Sequence, residues 1–117
     1  MSDEKERAAR FDSLNLLHYA CFDEEGQQVC QGMGRTLNVS ETGILLETYA
    51  PVEDESPVTV SIGLEDDLVE LKGKIMYCRE VEQGKYKAGI HFTEPLEKEM
   101  QILRQYIGFF ASQTGRE

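Results

Sequence analysis

Hydrophobic and polar residues alternate with period two over much of this chain. Val58, Val60, Ile62 and Leu64 alternate with Thr59, Ser61 and Gly63, the pattern of a half-buried strand whose successive side chains point to opposite faces. Leu71, Gly73, Ile75 and Tyr77 alternate with Lys72, Lys74, Met76 and Cys78, and Tyr86, Ala88, Ile90 and Phe92 with Lys85, Lys87, Gly89 and His91. Earlier in the chain a first strand is expected over 14–22. Its inward face is contested between Leu17, Tyr19 and Cys21 on one side and Leu14 and Leu16 on the other, which a bulge between the two sets reconciles. A second strand runs from about Val29 to Val39. Gly32 and Gly34 interrupt it and predict sharp curvature, as at a barrel corner. A third covers about Gly43 to Thr48. Turns fall at Asp23-Glu24-Glu25-Gly26, Glu65-Asp66-Asp67 and Gln83-Gly84, with an acidic loop from Pro51 to Ser56.

After the sixth strand the period changes. Thr93 reads as a helix N-cap, with Pro95 in the first turn where its missing N–H costs little. Leu96, Met100, Leu103, Ile107 and Phe110 then fall at alternating four- and three-residue steps, and Ile102, Tyr106 and Phe109 widen that stripe. The pattern predicts a helix over about 94–111, with residues from Ser112 onward frayed. One face should cover the sheet. The extra width either wraps a curved sheet or meets a second copy as a homodimer. Six regularly spaced strands and one C-terminal α-helix predict a mainly β fold, a small six-stranded antiparallel β-barrel. Residues 1–12 are charged and aperiodic and read as a flexible arginine-bearing leader, with a single domain over 13–112. The 117 residues suffice for one hydrophobic core and are too few for two.

Charge narrows the partners. Twelve basic against twenty-two acidic residues give a net charge of −10, which argues against nucleic acid polymers and anionic membrane surfaces, since both are bound through broad basic patches. A small dianion stays compatible, because two arginines can act locally in an acidic protein. No apolar run approaches bilayer length, and the start Met-Ser-Asp-Glu-Lys-Glu lacks the features of a signal peptide; a cytoplasmic protein is expected. Three cysteines, Cys21, Cys30 and Cys78, do not make a secreted disulfide framework. Cys21 and Cys30 sit symmetrically about Glu25-Gly26, where they can face each other across a hairpin. Buried reduced thiols are expected in such a protein.

Catalysis finds little support. His18 and Cys21 lie three residues apart on one strand, so they point to opposite sides and cannot pair as base and nucleophile. His91 falls on the polar face of its strand and reads as a surface histidine. No Cys-x-x-Cys or His-x-x-x-His spacing suggests zinc, and no glycine-rich phosphate loop occurs. Neither a metal nor a cofactor is expected.

The stretch Leu37-Asn38-Val39-Ser40-Glu41-Thr42-Gly43-Ile44-Leu45 carries the remaining chemistry. It reads as a strand end, a tight turn and the next strand start. Leu37 and Val39 are expected on one face, with Asn38 and Ser40 together on the other. Gly43 stands where the backbone must turn or admit a close approach. Upstream, Arg7 and Arg10 lie just before the first strand. This Asn-x-Ser-x-x-Gly turn with an arginine-bearing leader resembles the PilZ family of cyclic di-GMP receptors. Ala88-Gly89-Ile90-His91-Phe92 is similar to the last strand of those domains. In that family an Arg-x-x-x-Arg segment and an Asp/Asn-x-Ser-x-x-Gly turn close together on the nucleotide.

The turn matches in full as Asn38, Ser40 and Gly43. Arg10 fits the second arginine, since Tyr19 follows it at the usual distance. The first falls on Glu6, with Arg7 one residue late. The resemblance implies a bacterial second-messenger receptor that binds cyclic di-GMP through Arg7, Arg10, Asn38, Ser40 and Gly43. Guanidinium groups suit that ligand because they fork onto phosphate, pair with guanine O6 and N7, and stack on purines. Any signal is then expected to pass to a downstream protein partner. A PilZ-fold adaptor that binds a protein without the nucleotide is the alternative.

Overall fold

The computed structural model describes residues 16–64 and 67–114. Six antiparallel strands, β1 (Leu16–Phe22), β2 (Gln28–Val39), β3 (Gly43–Thr48), β4 (Pro57–Leu64), β5 (Asp67–Glu82) and β6 (Lys85–Phe92), close into a barrel in the order β1-β2-β3-β6-β5-β4. One helix, α1 (Glu97–Thr114), follows. Alternation predicts the barrel lining well. Leu17, Tyr19 and Cys21 of β1, Val58, Val60 and Ile62 of β4, and Ala88, Ile90 and Phe92 of β6 are all buried. Each large aliphatic residue so buried contributes about 1.5–3 kcal/mol.

Several expectations are corrected. Leu16 is 42% exposed, so Leu17, Tyr19 and Cys21 form the inner set. The β1 irregularity falls at Cys21/Phe22 rather than between the two sets; Leu14 lies outside the described residues. Gly32 makes room for the Tyr19 ring, since a Cβ there would come within 3.0 Å of the Tyr19 hydroxyl; a Cβ on Gly34 would instead press on the Glu47 carbonyl oxygen at 3.2 Å and Leu46 Cδ1 at 3.3 Å.

Two bulges reset the alternation. The β2–β3 ladder runs Thr36↔Leu46 and then Asn38↔Leu45, leaving Leu37 as the extra residue. Thr36 and Val39 are consequently buried and Asn38 is exposed, while Leu37 is half-buried. The expected pairing of Leu37 with Val39 on one face is replaced by this bulge. In β5 the ladder runs Ile75↔Ile90 and then Tyr77↔Gly89, with Met76 extra. Tyr77, expected inside, therefore faces out, and Cys78, expected outside, turns in and packs against the core.

The helix begins later than the pattern suggests. Thr93 stays with the barrel, its N–H donating to the Lys72 carbonyl at 2.9 Å. Glu94 has φ +46°, a left-handed conformation that ends the strand and postpones the helix. Leu96 takes the cap position instead. Its N–H donates to Glu99 Oε1 at 2.9 Å and its carbonyl accepts from Met100 N–H at 2.8 Å, half of a capping box. The helix then runs to Thr114, past the expected end. Its buried side chains are Ile102, Leu103 and Tyr106, whereas Leu96 and Phe109 are exposed. Tyr106 enters the barrel interior, where its hydroxyl lies 2.7 Å from Thr36 Oγ1.

Three buried acids titrate late. Burial above all, with the neighbouring Cys30 thiol next, pushes Cys21 up to about 12. Burial also raises Tyr19 and Tyr106. Above pH 9 the unfolded chain releases protons that the folded chain retains, so stability present below pH 9 is lost as pH climbs toward 12. The slope is about 1.4 kcal/mol per pH unit for each such group. Thermal unfolding under reductant should show a midpoint that falls between pH 9 and 11, and Cys21→Ser should flatten the onset. A midpoint constant to pH 11 would contradict this account.

Candidate functional site

The Leu37 bulge places Asn38 on the outer wall. Its Oδ1 accepts the Val39 N–H at 2.9 Å, so the Nδ2 donors are the part of the side chain available to an acceptor on a ligand. Two residues on, Ser40 shapes the turn. Its N–H donates to the Gly43 carbonyl at 2.8 Å. Its Oγ accepts the N–H groups of Thr42 at 3.2 Å and Gly43 at 3.3 Å, the side-chain turn mimicry typical of serine. Gly43 answers to packing. A Cβ there would collide with the Ile90 carbonyl oxygen, because β3 meets β6 closely at Gly43↔His91.

These three residues converge on one open concavity of about 320 Å3, walled also by Leu45, Tyr77 and His91. Register explains the grouping. Asn38 opposes Leu45, Leu45 opposes Gly89, and Gly89 opposes Tyr77, so the four form one row across β2, β3, β6 and β5. The Tyr77 ring lies directly on Gly89, in the space a side chain would occupy, and the Arg79 guanidinium carbon stands 5.4 Å from the ring centroid. A tyrosine ring flanked by Gly89 and Arg79, amide donors and an imidazole thus share one shallow surface. That combination can border a planar ring and donate hydrogen bonds to its acceptors.

Glu41, between Ser40 and Thr42, is paired with Arg104 of α1, Nε to Oε2 at 3.4 Å. This ties the turn to the helix and offsets one negative charge beside the concavity. Arg7 and Arg10, with Glu6, lie outside the described residues. Of the expected site residues, Asn38, Ser40 and Gly43 are therefore brought together. Tyr77 was not anticipated, because simple alternation puts it inside the barrel. The signal that could have found it is Gly89, a gap in an otherwise long-chained outward row of β6. Among the described residues no cluster of three or more histidine, cysteine or acidic side chains is arranged to hold a metal, and no helix is long and apolar enough to cross a membrane.

Comparison with known proteins agrees with this architecture. The PilZ domain model matches residues 4–109, so the chain belongs to the PilZ family. Comparison with curated proteins gives no match. Among solved structures, the PilZ domain of CeSA from a cellulose-synthesizing bacterium superposes with TM-score 0.57 at 13% identity, over 83% of this chain and 94% of that one. The Bacillus subtilis inhibitor of motility, MotI/DgrA, gives 0.60 at 16% identity, over 87% and 49%. The K. pneumonia MrkH complex with c-di-GMP gives 0.58 at 9% identity, over 86% and 48%. The chain spans about half the length of the MotI and MrkH chains. At these identities the likeness establishes the shared fold.

Proposed function

We propose that this chain is a cyclic di-GMP receptor domain, acting by binding and not by catalysis. The observation that carries the reading is the convergence of Asn38, Ser40 and Gly43 on one open concavity beside an outward tyrosine, in a chain of the PilZ family. On this reading Arg7 and Arg10 close over the ligand from the N-terminal side. They fork onto its phosphates and guanine edges, while Asn38 Nδ2 donates to a phosphate oxygen or to guanine O6 or N7. Ser40 and Gly43 hold the turn that presents Asn38. Folding the leader over the nucleotide costs ordering entropy. The signal then passes to a downstream protein in a bacterial cytoplasm, in control of motility, pili, biofilm or exopolysaccharide.

Calorimetric titration with cyclic di-GMP tests this. Wild type should release heat, and Arg10→Ala should weaken binding by about 1–3 kcal/mol, roughly five- to 150-fold. No heat from wild type, with a protein recovered by pull-down, would favour the nucleotide-independent adaptor. The leader has its own test. Glu6 places a carboxylate where the resemblance puts an arginine, and a carboxylate repels phosphate. Glu6→Arg should therefore tighten binding; an unchanged or weaker affinity would overturn this alignment of the leader.

A further inference from the structure

A second concavity, about 730 Å3, lies away from Asn38 and Ser40, where the β1–β2 turn faces the loop that follows β3. Two thiols line it, Cys21 and Cys30. The two are directly opposite in the β1–β2 ladder, so their side chains leave the same face of the sheet. Opposed residues in an antiparallel pair have Cα atoms about 4.5 or 5.5 Å apart, and both spacings fall within the roughly 4.4–6.8 Å that a disulfide spans. Both cysteines are free, Cys21 buried and Cys30 half-buried, and the Cys30 thiol stands close enough to Cys21 to raise its proton affinity. Cys78, the third thiol, sits on a different ladder and opposes Ala88.

We propose that Cys21 and Cys30 form a dithiol that a neutral hydroperoxide oxidises to a cross-strand disulfide. Cys30, the more accessible sulfur, reacts first. Its thiolate attacks one peroxide oxygen, the O–O bond breaks, an S–O bond forms, and water or an alcohol leaves. The sulfur of Cys21 then attacks Cys30 Sγ. An S–S bond forms, the S–O bond breaks, and the Cys21 proton leaves with the hydroxyl as a second water. Two thiols lose two electrons and the peroxide gains them. Cys21 is buried and Cys30 half-buried, so the peroxide meets Cys30 first and Cys21 acts as the resolving thiol.

The rim chooses the oxidant. Asp23, Glu24 and Glu25 line the concavity from the turn, and Glu53, Asp54 and Glu55 from the loop; only Glu55 has a cationic partner among the described residues, Lys74 at 2.8 Å. Such a ring repels anionic oxidants such as glutathione disulfide and is indifferent to a neutral peroxide.

The test begins with fully reduced wild-type protein treated with hydrogen peroxide, then denatured, alkylated and mapped without reductant. Alkylatable thiols should fall from three to one per chain, with Cys78 alkylated and one cross-linked peptide pair joining Cys21 to Cys30. Cys78→Ser should keep the cross-link and Cys30→Ser should lose it. The wild-type map decides the matter even if Cys30→Ser fails to fold. Glutathione disulfide should react about tenfold more slowly or worse. A link to Cys78, a covalent dimer, or Cys30 driven to sulfinic acid beside a reduced Cys21 would overturn the dithiol. Equal rates with the two oxidants would overturn the selectivity.

Discussion

Tyr106→Ala is expected to cost about 3–5 kcal/mol of stability, the range for removing a buried aromatic ring. The ring is 1% exposed and packs with Ile102, Leu103 and the barrel lining. It also bonds from the helix to β2, its hydroxyl lying 2.7 Å from Thr36 Oγ1. Truncation opens a cavity and deprives a buried hydroxyl of this partner, and an unmet buried polar group adds about 1–3 kcal/mol. Tyr106→Phe separates the two effects, since it keeps the ring and should cost only about 1 kcal/mol plus whatever Thr36 loses. Thr36→Val in the Tyr106→Phe background should recover part of that loss. Urea denaturation measures all three. A Tyr106→Ala protein within 1 kcal/mol of wild type would mean that α1 is not integral to the core.

Gly43→Ala is expected to cost about 3 kcal/mol in the absence of any ligand, the upper end for forcing a methyl into a packed region. The obstacle is the Ile90 backbone carbonyl, which cannot step aside as a flexible side chain would. β3 must separate from β6 at Gly43↔His91, and the adjacent turn moves with it. The turn glycine is thus required by the barrel itself. Nucleotide affinity should fall as a consequence, through displaced Asn38 and Ser40. If Gly43→Ala melts like wild type yet no longer binds nucleotide, the glycine serves the ligand alone and the packing explanation is wrong.

Most of the barrel was legible in the sequence because a half-buried strand writes its burial directly into alternation. Val58, Val60 and Ile62 could hardly be arranged otherwise. The failures cluster at Leu37 and Met76, two of the bulged positions. A bulge inserts one residue and inverts the faces downstream of it, and neither site carries a glycine or proline to announce this. The site suffered unequally. Asn38, Ser40 and Gly43 were found because their spacing is a motif, whatever face they occupy. Tyr77 was missed because its exposure depends on the Met76 bulge. The helix start was misplaced for a different reason: Thr93 and Pro95 are sound capping signals, but Glu94 adopts a left-handed backbone that no propensity of glutamate foretells.

The ring of strands also limits how this protein meets others. With β1 bonded to both β2 and β4, every described strand has a neighbour on each side, so none is an outer strand along its whole length. Assembly by sheet extension is therefore confined to stretches where a strand outruns a neighbour, residues 75–82 of β5 beside β4 and 28–34 of β2 beside β3. Elsewhere a partner has to read side chains, such as the outward row beside Tyr77 and the exposed flank of α1.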